Sequence, residues 1–80
     1  MIGFHCTTEK KLDRYCKTGA ILPPVRFWKY QKSAENWCKR TSRNILLKIE
    51  ITETHPLPDH KPIGHAYWSP EIVREWEILG

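Results

Sequence analysis

The chain reads as a small α+β domain, with two helices set among about five short strands in a mixed or antiparallel sheet. Three observations predict this. Ile45, Leu47, Ile49 and Ile51 alternate with Leu46, Lys48 and Glu50, the period-two pattern of a half-buried strand. Leu12, Tyr15 and Cys16, and again Ala34, Trp37, Cys38 and Thr41, recur at the three- and four-residue spacing of an amphipathic helix. The order β-α-β-α-β-β-β, with long connections, belongs to a small α+β architecture.

Taken in order, Ile2 to Cys6 is the first strand. Thr7 or Thr8 caps a helix running to about Thr18, with Leu12, Tyr15 and Cys16 inward and Gly19 as its left-handed stop. Ala20 to Pro24 is a connection held extended by Pro23-Pro24. Val25-Arg26-Phe27-Trp28 is a second strand ending near Tyr30, and Ser33 caps the second helix. Thr41-Ser42-Arg43-Asn44 is a turn into the strand Ile45 to Ile51. Thr52 to Pro62 carries three prolines and reads as an ordered loop, and Ile63 to Trp68 as a short strand. Ser69-Pro70-Glu71 places a cap before a proline at the first helical position, which predicts one helical turn. Arg74 to Leu79 alternates again and closes the chain as a strand.

Eighty residues make one domain, spanning 1–80. Four Trp, three Tyr and two Phe supply its core, since each buried aromatic removes on the order of 150–250 Å² from water. No apolar run approaches the roughly 20 residues that span a bilayer. Met1-Ile2-Gly3-Phe4 lacks the basic and apolar regions of a secretion signal, so a cytoplasmic location is expected. The three cysteines have no CxxC spacing, and reduced thiols are expected, with Cys16 and Cys38 on inward helix faces. The net charge of +4 suits a phosphate-bearing ligand or a nucleic acid.

The candidate site lies at Gly3-Phe4-His5-Cys6-Thr7-Thr8. A strand here delivers His5 and Thr7 to a helix N-terminus, whose unpaired backbone N–H groups favour anions. Other constellations are weaker. His55, His60 and His65 recur at equal intervals, but no cysteine pair completes a four-ligand zinc set, and no metal is expected. Cys6 adjoins His5, yet consecutive strand residues point to opposite faces and do not share a proton. Lys29, Lys32, Lys39, Arg40 and Arg43, interleaved with Trp28, Tyr30 and Trp37, form either a nucleic-acid surface or a solvated face around a core tryptophan. Glu71, Arg74, Glu75 and Glu77 read as surface charges.

The element order resembles the minimal ADP-ribosyltransferase-like fold. The pieces that carry the resemblance are Phe4-His5-Cys6-Thr7, Gly19, Phe27-Trp28-Lys29-Tyr30, Ala34 with Trp37, Leu46 to Ile51, and Pro70-Glu71-Ile72. They cover nearly the whole chain, though each is short. The resemblance implies that His5 hydrogen-bonds a ribose of NAD, with Thr7 its neighbour, the Thr8 helix start nearby and Tyr30 stacked on nicotinamide. It also implies NAD or an ADP-ribose-like nucleotide as the ligand. The family's catalytic glutamate has no counterpart, because Pro62 to Trp68 contains no carboxylate and Asp59 and Glu71 only flank it. A transferase without that anion loses its main electrostatic element.

The expectation is therefore a nucleotide-binding domain with reduced catalysis. The enzyme alternatives are an active mono-ADP-ribosyltransferase or an RNA 2′-phosphotransferase-like enzyme. The latter branch uses arginine and histidine instead, for which Arg26, Arg40, Arg43 and His65 are candidates. The third alternative is a protein- or nucleic-acid-binding module of mobile-element or phage type.

Overall fold

The computed structural model describes residues 1–58 and 65–79. Its elements run β1 (Ile2–Thr7), α1 (Glu9–Thr18), β2 (Val25–Trp28), α2 (Gln31–Arg40), β3 (Ile45–Glu50), β4 (His55–Pro56), β5 (Ala66–Ser69) and β6 (Glu77–Ile78). The six strands form one sheet in the order β4-β5-β2-β1-β3-β6, antiparallel at every pairing. The α+β class with two helices holds, and the additional strand is β4, a two-residue edge inside the expected Thr52–Pro62 loop.

Adjacent residues of β3 divide the interior. Leu47 and Ile49, with Ile51 just after the strand, join Val25 and Phe27 in one buried cluster, against which Leu12 and Tyr15 of α1 pack. Leu46 turns the other way and joins Cys6, Trp28 and, from α2, Ala34 and Cys38. Successive strand side chains point to opposite faces, so the two helices cover opposite sides of the sheet. The face of β3 expected to be largely polar is thus half apolar, with Leu46 lying beneath α2. Gly3 is required by this packing: a Cβ there would fall on the ring of Phe27, which is itself stacked on Tyr67 with centroids 5.8 Å apart.

Four local expectations need correction. Helix α2 begins at Gln31, not at Ser33, with Tyr30 as an N-cap that makes no side-chain cap bond. The Gln31 Nε2–H donates to Glu35 Oε1 at 3.2 Å, an i,i+4 pair that steadies the earlier first turn. The helical turn expected after Ser69 is absent. Ser69 Oγ does accept from the Glu71 N–H at 3.1 Å, but Val73 pairs with Ile21 and draws the chain out extended. Glu71 is not a free surface charge: its carboxylate accepts from the Thr52 and Glu53 N–H groups, both at 2.7 Å, tying the chain after β3 to the chain after β5. The closing strand shrinks to Glu77–Ile78, because Trp76 turns inward and meets Tyr15 edge-on at 6.1 Å.

The cysteines also depart from expectation. Cys6 of β1 and Cys38 of α2 are joined as a disulfide with Cα atoms 5.7 Å apart, and Cys16 is exposed. The pairing is tertiary: 32 residues separate the two, and only the seating of α2 on β1 brings them together. The Pro23–Pro24 bond within the α1–β2 connection is cis. The expected strand start at Ile63 lies outside the described residues.

Candidate functional site

The site arises from an unequal pairing of β1. Along its whole length β1 is in register with β3, from Ile2 opposite Glu50 to Thr7 opposite Ile45. With β2, on its other side, it has a single registered pair, Phe4 opposite Trp28. Past that pair the two strands part, and the imidazole of His5 occupies the gap. Its Nδ1–H donates to the carbonyl oxygen of Arg26 in β2 at 2.5 Å, a side-chain bond standing where the ladder has lapsed.

That bond sets the tautomer. A carbonyl only accepts, so the proton sits on Nδ1 and Nε2 is left as an acceptor. Tyr15 of α1 brings its hydroxyl to 3.3 Å from Nε2, and Thr7 Oγ1 donates to the same hydroxyl at 3.4 Å. The result is a chain Thr7–Tyr15–His5–Arg26 that links helix, strand and neighbouring strand. His5 is held neutral. Partial burial lowers its pKa from the usual 6.5 and the positive charges of Arg43 and Lys11 lower it further, while the Arg26 carbonyl opposes the shift.

Around this imidazole lies a cavity of about 300 Å³, at the lower end of the range for small-molecule sites. Lys11, Arg26 and Arg43 line it together with His5. Tyr15, Trp28 and Trp37 provide aromatic surface, and Leu22, Leu57 and Ala66 apolar surface. No carboxylate is among the described lining residues. Chemically the cleft combines cationic donors, a neutral imidazole and aromatic walls, with no anion among the described lining residues. It is suited to a phosphate beside a flat ring system.

The four residues singled out from sequence fall into different places. His5 lines the cleft. Thr7 is buried, at 1% exposure, and acts through the Tyr15 hydroxyl. Thr8 is the N-cap of α1, its hydroxyl accepting from the Lys11 N–H at 3.3 Å, so that oxygen is committed to the helix. Tyr30 is 51% exposed and outside the cavity lining, edge-on to His65 at 5.9 Å and beneath the Lys29 ammonium at 5.5 Å.

Sequence reasoning missed Tyr15 and Lys11 as site residues. Tyr15 reads as part of the inward stripe of α1, and Lys11 as one of many solvated lysines. The available signal was their i,i+4 spacing, which puts both on the side of α1 that faces His5.

Among the described residues no group of three or more His, Cys, Asp or Glu is placed to hold a metal ion. His55 stacks on Trp68 at 4.6 Å and lies 2.9 Å from Glu53, while His60 lies outside the described residues. No described helix is long and apolar enough to cross a membrane. No family model, curated protein or solved structure matches the chain.

Proposed function

We propose that the chain is a small nucleotide-binding domain of the ADP-ribosyltransferase-like kind, taking an NAD- or ADP-ribose-type ligand in the cleft where β1 and β2 part, with catalysis reduced. The observation that carries this reading is the charge pattern of the cleft: Lys11, Arg26 and Arg43 around a neutral His5, with no lining carboxylate among the described residues. Unopposed cations favour a phosphate. The half-buried Trp37 in the lining adds apolar surface beside these cations. The same pattern argues against sugar transfer through a cationic transition state, which calls for a nearby anion.

Ligand-detected NMR titration of NAD and ADP-ribose against the wild type and His5→Ala tests the reading. Saturable binding that disappears in His5→Ala is the expected result. Absence of binding by either ligand overturns it.

A second reading has one specific observation in its favour. Arginine and histidine without a glutamate is the donor set of an RNA 2′-phosphotransferase-like enzyme, and the cleft assembles Arg26, Arg43 and His5. Turnover of NAD in the presence of a 2′-phosphorylated RNA would establish it.

A further inference from the structure

Two features of the cleft are at odds. Its described lining holds three cations, Lys11, Arg26 and Arg43, and no carboxylate. None of the three is absorbed by an ion pair: among the described residues the one Lys or Arg within 4.0 Å of a carboxylate is Lys48, with Glu77. The cavity is thus built to attract an anion. Yet His5, in the same lining, commits its Nδ1–H to the Arg26 carbonyl and presents Nε2 as an acceptor, where an anion needs a donor. Desolvation disfavours the second proton on this ring, and the charges of Arg43 and Lys11 disfavour it further.

An oxyanion seated among these cations reverses that balance. Its charge offsets the two positive charges that oppose protonation and adds an attraction of its own. Resting on the reading of this cleft as a phosphate site, we propose that it binds its oxyanion with uptake of one proton onto His5 Nε2. The proton comes from solvent, and no covalent bond to the ligand forms. Nδ1–H stays on the Arg26 carbonyl throughout, so the ring keeps its place. The change falls on the Tyr15 hydroxyl, 3.3 Å from Nε2. Facing a bare nitrogen that hydroxyl donates; facing Nε2–H it accepts, and its own hydrogen is released for the ligand. The groups that face His5 are Lys11 and Tyr15 from α1, Arg43 from the chain after α2, the Arg26 carbonyl from β2 and the apolar Leu47 opposite it in β3. Among these side-chain types histidine is the one that changes charge between about pH 5 and 8. Linkage is reciprocal, so affinity rises as pH falls, by at most about tenfold per pH unit for one proton.

The experiment uses sulfate and ADP-ribose, whose own charges stay fixed between about pH 5.5 and 7.5. Imidazole-nitrogen NMR of the full chain follows each histidine across that range, with and without ligand. The expected result is a His5 titration midpoint that moves to higher pH at saturating ligand, with the proton gained on Nε2. Kd for either ligand should tighten at least about fivefold from pH 7.5 to 5.5. His55 and His65, which lie outside the cavity lining, should keep their midpoints. In Lys11→Gln/Arg43→Gln the midpoint of the free chain should rise and the shift caused by ligand should disappear.

Binding of ADP-ribose with an unchanged His5 midpoint overturns the proton uptake and leaves the nucleotide site standing. Equal shifts at His55 and His65 overturn it too, since the effect then belongs to the surface charge as a whole. A His5 shift with sulfate alone supports the proton-linked oxyanion site and removes the nucleotide from it. If neither ligand binds at either end of the pH range, this proposal and the nucleotide-binding reading fall together.

Discussion

His5 joins two strands and shapes a site, so its removal is read in two measurements. His5→Ala should abolish nucleotide binding, and loss of the bond to the Arg26 carbonyl should lower stability by about 1 kcal/mol in chemical denaturation. Its titration gives a second test. The folded chain holds His5 neutral with a pKa below 6.5, so below that pH the unfolded chain binds more protons. The His5 contribution to stability is therefore complete above about pH 6.5 and is lost as pH falls from there through the lowered native value. Lys11 and the Tyr15 hydroxyl from α1, Arg43 from the chain after α2 and the Arg26 carbonyl from β2 are the groups that face it. Denaturation at pH 7.5 and 5.5 should show a smaller acid loss for His5→Asn than for wild type. Equal losses would detach the effect from this residue. At Gly3 the test is steric: Gly3→Ala forces a methyl onto the buried Phe27 ring and should destabilise by about 1–3 kcal/mol.

The elements differ in how firmly they are attached. Helix α2 is anchored by buried Ala34 and Cys38 and by the covalent link to β1. Helix α1 has no buried residue and meets the core through the half-buried Leu12 and Tyr15. Closing a loop of 32 residues' separation, the Cys6–Cys38 bond should stabilise by about 4 kcal/mol, which Cys38→Ser or a reductant removes. A Tm unchanged by reductant would contradict this. Helix ends and strand alternation were legible because they depend on local chemistry: Thr8 caps α1, and Gly19 at φ 73° ends it. The expected cap at Ser33 fails because the first helical turn already forms two residues earlier, with the Ala34 N–H on the Tyr30 carbonyl at 3.2 Å and Gln31 paired to Glu35. The turn at Ser69 forms its local bond but not its helix, because the Glu71 carboxylate and Val73 are claimed by distant partners.

At the scale of the whole molecule, the sheet order β4-β5-β2-β1-β3-β6 puts the first strand in the middle and the late, short strands at the edges. His5 consequently reaches a central cleft with a helix on either side. The sequence by itself determined the α+β class, the two helices, the β3 alternation and the candidacy of His5, all properties of residues near one another along the chain. It could not determine that β1 and β2 part after one registered pair, that the Arg26 carbonyl fixes the His5 tautomer, or that Cys6 meets Cys38. Nor could it bring Lys11 and Arg43 to the same imidazole while leaving Tyr30 outside. Those are contacts between distant segments, and their geometry is set by how two helices pack on opposite faces of one sheet, which no local spacing encodes.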